Sequence, residues 1–198
     1  MFLHMIYFIS DLHFFHDREF IWKVRGFSSE EEMRETYLKE WEKTIDRDDD
    51  VYLLGDFCLG SDFDRIGELI LSLKGKIHLI IGNHDSDARI EYYKTLDNIV
   101  EIVYATVLKY NGRRYYLSHY ITETATLESD PKECVINLHG HLHTKQMFHE
   151  DKPYLINVSV DVTGGKFMTF DDIENAFNAK VKECIKYLVT SKNHRLKP

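Results

Sequence analysis

Short apolar runs that end in polar residues recur along this chain. The segment Lys76–Ile81 is almost continuously apolar and stops at Gly82, after which the sequence reads Asn83-His84-Asp85. A run of this length and composition predicts a strand that is buried on both faces of a sheet. Similar runs at Met5–Ser10 and Val51–Leu54 lead into Asp11-Leu12-His13 and Gly55-Asp56. We therefore expect polar side chains at the carboxyl ends of several strands, where open α/β sheets form their ligand crevices.

Helical patterns separate these strands. A serine followed three residues later by a glutamate, as in Ser28/Glu31 or Ser29/Glu32, predicts a capped helix start. Apolar residues at helical spacing follow it: Met33, Tyr37, Leu38, Trp41 and Ile45. Further helices are predicted over residues 61–73 and 89–96. The resulting β-α-β-α-β order predicts parallel strands joined by crossover helices.

Beyond residue 98 the pattern changes to strands. Ile99–Tyr110 and Arg113–Ser118 flank Asn111-Gly112, which is a strong signal for a type I′ hairpin turn. Strands are also predicted at 135–138 and 154–160, and a last helix begins near Asp171. The polar end of the chain, residues 191–198, is predicted to be a frayed tail behind a single domain that spans residues 1–190.

Composition narrows the function classes. The chain has 198 residues and a formal net charge of −8, which argues against a long nucleic acid as partner because such binders need a basic surface. The three cysteines are widely spaced and form no CxxC pair, which favours a reduced, cytoplasmic protein. No run approaches the about 20 apolar residues of a membrane span. The apolar start of the chain lacks a basic leader, so we interpret it as a first strand rather than a signal peptide.

Seven residues at or just beyond predicted strand ends could ligate metal ions: Asp11, His13, Asp56, Asn83, His119, His141 and His143. Each is a weak signal alone, since a lone histidine is more often a hydrogen-bonded core residue. Together they exceed the three protein ligands of a catalytic zinc and suit two metals that share a carboxylate. Mixed imidazole and oxygen ligands favour Mn, Fe, Zn, Co or Ni over calcium.

The ordered blocks D-x-H, G-D, G-N-H-D, H and G-H-x-H span Asp11–His143 and resemble the calcineurin-like metallophosphoesterase superfamily. The resemblance is strongest to the small, single-domain members from microbes and phages that lack a cap. It implies an α/β fold, specifically an α/β/β/α four-layer sandwich with two mixed sheets.

The same resemblance implies a role for each residue. The first metal would be bound by Asp11, His13, Asp56 and His143. The second would be bound by Asp56, Asn83, His119 and His141, with Asp56 shared. His84 would face the substrate, and Asp85 would orient it.

Several assignments have alternatives. Small relatives often carry a proline soon after the His119 position, whereas this chain continues Tyr120-Ile121-Thr122, so His78, His139 and His149 are substitute ligands for His119. His16 and Arg18 could contact a substrate phosphate or simply be solvated. The acidic residues Asp46, Asp48, Asp49 and Asp50 are interpreted as a solvated turn.

The hypothesis that follows is a phosphodiesterase that hydrolyses a small phosphoester with a hydroxide bridging two divalent metals. The alternatives are a phosphomonoesterase, a nuclease for short oligonucleotides, and a metal-binding scaffold without catalysis. No membrane partner is expected. A tyrosine-rich middle segment is consistent with a homo-oligomer interface, although packing within the monomer explains it as well.

Overall fold

The computed structural model describes residues 4–124, 133–149 and 152–195, with the backbone alone over the last eight of these. It contains ten strands: β1 Ile6–Ile9, β2 Asp50–Leu53, β3 Lys76–Ile80, β4 Ile99–Val103, β5 Ala105–Tyr110, β6 Arg113–Ser118, β7 Ile136–His139, β8 Phe148–His149, β9 Lys152–Asn157 and β10 Met168–Thr169. The helices are α1 Glu19–Trp22, α2 Glu30–Thr44, α3 Phe63–Ser72, α4 Asp87–Tyr93, α5 Val160–Thr163 and α6 Phe170–Arg195.

The strands form two five-stranded mixed sheets. The first has the order β10-β1-β2-β3-β4, with β1 to β4 parallel and β10 antiparallel at one edge. The second has the order β5-β6-β7-β9-β8, in which β6, β7 and β9 are parallel and both edge strands are antiparallel. The predicted α/β fold with two mixed sheets is confirmed.

Alternate residues of the first sheet enter two separate apolar clusters. Leu53 and Leu79 belong to a cluster that includes Trp41 of α2 and Ile70 of α3. Their neighbour Tyr52 points to the other face and joins a cluster with Leu117 of the second sheet. Because side chains alternate along a strand, one sheet can pack on helices and on a second sheet at once.

Local signals place the elements much as predicted. Glu32 N donates to Ser29 Oγ at 3.1 Å and Ser28 N donates to Glu32 Oε2 at 2.8 Å, so the Ser29/Glu32 pair starts α2. At the hairpin, Asn111 and Gly112 have φ of 47° and 79°, as a type I′ turn requires.

Three expectations need correction. The apolar run 99–110 is two strands, because β4 pairs with β3 in the first sheet and β5 pairs with β6 in the second, with the exposed Tyr104 between them. The strand predicted to reach Val160 ends at Asn157, since Val160 begins α5. The predicted solvated turn contains a buried residue, Asp49, which accepts hydrogen bonds from Met5 N and Asp46 N.

The last helix, α6, runs beyond the start of the predicted tail as far as Arg195, and the final three residues lie outside the described part of the chain. Within the part of the chain that the structure describes, no helix has both the length and the apolar composition that a membrane crossing requires.

Candidate metal centre

Four predicted ligands meet beyond the carboxyl ends of β1 and β2. One donor atom from each of Asp11, His13, Asp56 and His143 lies within 4.8 Å of the others. His13 Nε2 faces His143 Nε2 at 3.2 Å and lies 3.5 Å from Asp56 Oδ2. His143 Nε2 is 3.9 Å from Asp11 Oδ1. These are the residues that the family resemblance assigned to the first metal.

A second group of donor atoms adjoins the first. Asn83 Oδ1 is 3.0 Å from His119 Nε2 and 2.9 Å from His141 Nδ1. His119 Nε2 is 3.5 Å from Asp56 Oδ2. The residues assigned to the second metal are therefore also together, and Asp56 is the member common to both groups.

The shared oxygen, Asp56 Oδ2, is buried and has no hydrogen-bond partner. It lies 3.5 Å from an imidazole nitrogen on either side, His13 Nε2 and His119 Nε2. A buried carboxylate oxygen without a partner is costly unless a cation compensates it. Its other oxygen, Oδ1, accepts a hydrogen bond from His84 N at 2.8 Å, which holds the carboxylate in place.

The backbone is strained where these residues sit. Seven non-glycine residues of the described chain have a positive φ, and five of them are predicted ligands: Asp11, His13, Asp56, His141 and His143. Each such conformation costs on the order of 1–3 kcal/mol and persists only where the surroundings enforce it. Strain of this kind concentrates at functional sites, and here it turns successive side chains towards one point.

Glycines let the strand ends approach each other. A Cβ on Gly140 would collide with Ser10 Oγ and Asp11 Oδ2, and a Cβ on Gly82 would collide with Asp56 Oδ1. A Cβ on Gly55 would strike the His119 ring. The glycine that precedes the polar residues in each of the G-D, G-N-H-D and G-H-x-H blocks is therefore a packing requirement of the site.

Asp85 has a different role from the predicted one. The residue is 5% exposed, and its carboxylate accepts hydrogen bonds from Gly82 N at 2.8 Å, Asp56 N at 2.9 Å and Phe57 N at 3.3 Å. Both oxygens are thus committed to the backbone rather than to the ring of His84. Asp85 ties the loop after β2 to the loop after β3, which positions Asp56 and Asn83.

Two residues of the site escaped the sequence analysis. Asp161 Oδ2 accepts from His143 Nδ1 at 2.9 Å, which leaves Nε2 of that ring free to ligate. Arg25 donates to both oxygens of Asp161, at 3.0 and 2.8 Å, and to Asp11 O at 2.9 Å. Asp161 follows a predicted strand, as the ligands do, so a signal existed; Arg25 lies in a loop with no distinguishing pattern.

Burial shifts the pKa values of Asp11 and His13. It raises the pKa of the Asp11 carboxyl above its usual value. Burial, together with the nearby positive charges of Arg25 and His143, lowers the pKa of His13 to about 2. His13 is therefore neutral and can donate a nitrogen lone pair. Buried carboxylates, imidazole nitrogens and an amide oxygen together form a donor set that suits a divalent transition metal.

His119 is at the centre, and each of its three proposed substitutes has a different contact or position. His119 is buried, and its Nδ1 donates to Leu54 O at 2.8 Å, so that Nε2 faces Asp56 and Asn83. His78 is instead held between Asp50 and Glu101. His139 bonds through Nδ1 to Gly140 O, and His149 lies on the edge strand β8.

The residues predicted to meet substrate differ in position. The ring of His84 is exposed and lies 5.2 Å from that of His13 and 6.2 Å from that of His16, between ring centres. His16 is therefore beside the centre. The side chain of Arg18 is 73% exposed and pairs with Asp17, so the structure does not bring it into the cluster.

Fold and site together define a class: an α/β sandwich protein in which loops from both sheets bring together a set of side chains that could hold metal ions. The chain belongs to the calcineurin-like phosphoesterase superfamily, whose domain model matches residues 5–160. The resemblance found in the sequence is confirmed.

The chain is also similar to three proteins from other organisms. The chain is 34% identical over 176 residues to the uncharacterized protein MJ1445 of Methanocaldococcus jannaschii, covering 86% of this chain and 90% of that one. It is 38% identical over 82 residues to the gene 66 protein of Mycobacterium phage L5, covering 40% and 39% of the two chains. A crystal structure of the protein of unknown function AQ665 from Aquifex aeolicus superposes with a TM-score of 0.69 at 27% identity, covering 87% of this chain and 99% of that one.

Proposed function

We propose that this protein is a phosphodiesterase that holds two divalent cations, drawn from Mn, Fe, Zn, Co or Ni. The observation that carries the proposal is Asp56 Oδ2, a buried and unpartnered oxygen with an imidazole nitrogen at 3.5 Å on each side. A carboxylate in this position suits a bridge between two cations, with Asp11, His13 and His143 on one side and Asn83, His119 and His141 on the other.

Divalent cations at this centre would supply Lewis acidity and a source of hydroxide near neutral pH. Asp11 and Asp56 contribute two negative charges against the four positive charges of such a pair. The centre therefore attracts a phosphate anion although the chain as a whole carries a net charge of −8. That charge, in turn, favours a small phosphoester over a long nucleic acid as substrate.

His84 is the residue proposed to protonate the leaving oxygen. Its backbone is fixed by the hydrogen bond to Asp56 Oδ1, while its ring is exposed next to His13. Arg89 donates to His84 O and to Gly60 O, which further restrains the loop. An exposed imidazole on a fixed backbone can transfer a proton to bound substrate without itself ligating metal.

Metal analysis joined to a substrate panel tests the proposal. Protein loaded with Mn²⁺ is expected to hydrolyse bis-p-nitrophenyl phosphate and to lose that activity with a chelator. If the metal-loaded protein hydrolyses neither phosphomonoesters nor phosphodiesters, the proposed enzymatic activity is refuted and a metal-binding scaffold without catalysis is favoured. Faster hydrolysis of p-nitrophenyl phosphate than of the diester would assign a phosphomonoesterase instead.

The role of His84 is tested separately. His84→Ala is expected to retain bound metal and lose about 10²- to 10⁴-fold in rate, the range typical of a general acid. Loss of the metal itself would contradict the assignment. Arg114→Ala, which changes an exposed side chain of β6 close to the hairpin turn, is the matched control and is expected to retain both metal and rate.

A further inference from the structure

Two aromatic side chains next to the metal centre are exposed. Tyr120 is 50% and Phe20 is 66% exposed, whereas Phe14 and Phe57, also close to the centre, are fully buried. Exposed aromatic surface gains nothing from the hydrophobic effect in the free protein. Aromatic side chains beside a chemical centre are therefore candidates for contact with a ligand.

Tyr120 lies on the side of the centre assigned to the second metal. Its ring is edge-on to His141 at 4.8 Å and to His119 at 5.2 Å between ring centres. A group attached to a phosphate bound between those imidazoles would lie within reach of the exposed part of the tyrosine ring.

The backbone that carries Tyr120 is anchored rather than free. Ser118 Oγ donates to Tyr120 O at 2.7 Å, and Thr122 N donates to Asn137 Oδ1 at 2.8 Å. Asn137 is fully buried and also donates to Ser118 Oγ at 2.9 Å. The turn after β6 therefore holds Tyr120 in a fixed place while half of its surface faces solvent.

Phe20 lies on the other side of Asp56. Its ring contacts that of His16 at 5.4 Å, and His16 in turn contacts His13 at 5.5 Å and His84 at 6.2 Å between ring centres. Phe20 is thus near the residue proposed to protonate the leaving oxygen. Tyr120 thus lies beside the ligands assigned to the second metal, and Phe20 lies on the side of those assigned to the first.

We propose that Tyr120 and Phe20 are specificity-determining residues that bind two planar substituents of an aryl or nucleoside phosphodiester. The group that stays on phosphorus stacks on Tyr120, and the leaving group contacts Phe20 beside His84. This inference rests on the proposed phosphodiesterase function and adds the substrate class. A diester has one substituent for each ring, which matches the placement of one aromatic residue on either side of the shared carboxylate.

Two diesters with the same leaving group test the inference: the p-nitrophenyl ester of thymidine 5′-phosphate and methyl p-nitrophenyl phosphate. Wild-type protein is expected to show a higher kcat/KM for the thymidine ester, chiefly through a lower KM. Base stacking on one aromatic side chain corresponds to roughly 5- to 150-fold in affinity. Tyr120→Leu is expected to reduce the preference by that factor, and Tyr120→Phe to retain it.

Phe20→Leu is expected to raise KM for both esters alike, because both release p-nitrophenolate. Tyr187→Leu removes a tyrosine that is 67% exposed on α6, a helix that carries none of the predicted ligands, and is the matched control expected to leave both parameters unchanged. Calorimetric titrations with thymidine 5′-phosphate and with methyl phosphate measure binding affinity without depending on turnover. Tyr120→Leu should weaken the binding of thymidine 5′-phosphate and leave that of methyl phosphate unchanged.

The outcomes are distinguishable. Equal use of the two esters by the wild-type protein, or an unchanged preference in Tyr120→Leu, overturns the aromatic subsite while the hydrolase assignment stands. An equal loss for both esters in Tyr120→Leu would mean a structural role for Tyr120 and would also overturn the inference. Hydrolysis of neither ester by the metal-loaded protein would refute the proposed function and this inference together.

Discussion

Replacing Asp161 by asparagine tests whether the site depends on residues outside the ligand set. Asp161 and Arg25 form a buried ion pair, with side chains 8% and 4% exposed. Although burial acts to raise the pKa of Asp161, hydrogen bonds from His143 and Arg25 hold it well below its usual value. Asn has nearly the same shape but no charge, and it leaves the guanidinium of Arg25 buried without a counter-charge.

Two magnitudes follow. Breaking a buried ion pair by removing one partner typically costs about 3–5 kcal/mol, so the midpoint of urea unfolding should fall by about 1–2 M. Loss of the residue that orients a ligating histidine typically weakens metal binding by about 10- to 100-fold. We therefore expect Asp161→Asn to be both less stable and poorer at binding Mn²⁺ than the wild-type protein.

The assays are urea denaturation and competition for Mn²⁺ with a fluorescent chelator. Glu174→Gln is the matched control, because it breaks the ion pair of Glu174 with Arg113 at the start of β6, whereas the predicted ligand His119 follows the other end of that strand. It should lose stability but keep its metal affinity. The double variant Arg25→Met/Asp161→Asn should lose less stability than the sum of the single variants, since no unpaired charge remains. Wild-type Mn²⁺ affinity in Asp161→Asn would refute the reasoning.

Three further predictions concern stability. Gly140→Ala should cost at least about 1–3 kcal/mol in urea denaturation, because the added Cβ would overpack against Ser10 and Asp11; wild-type stability of this variant would contradict the close-approach argument. Asp85→Asn should lower the free energy of unfolding by about 1–3 kcal/mol, because an amide cannot accept all three backbone hydrogen bonds; an unchanged unfolding midpoint would contradict it. Although burial acts to raise the pKa of Asp50, hydrogen bonds from His78 and His4 lower it. The ionised Asp50 therefore stabilises the fold fully above its unfolded pKa of about 3.9, and this stabilisation is lost as the pH falls through the lower folded pKa. In acid titrations followed by circular dichroism, Asp50→Asn should lack this loss, and identical profiles for the variant and the wild-type protein would contradict the prediction.

Local patterns were sufficient for most elements. The apolar runs of β1, β2 and β3 and the capping serine of α2 act through neighbours in the sequence, and the structure places these elements within one or two residues of the prediction. The type I′ turn at Asn111-Gly112 follows in the same way, because the requirement for positive φ at two successive residues is local. The division of 99–110 into strands of different sheets was not visible, since an apolar run does not specify its pairing partner.

For the centre, the sequence by itself determined which residue types stand at the strand ends, and the ordered blocks identified the family. Convergence of Asp56 Oδ2 with His13 and His119 is a tertiary property, because these residues come from different strands whose register and connections decide where they meet. The role of Asp85 shows the same limit. Asp85 directly follows His84 in the sequence, but its side chain accepts hydrogen bonds from the backbone amides of Gly82 and Asp56 instead of orienting the His84 ring. The role of Arg25 could not be predicted for the same physical reason, since this loop residue meets its partner Asp161 only when the chain folds.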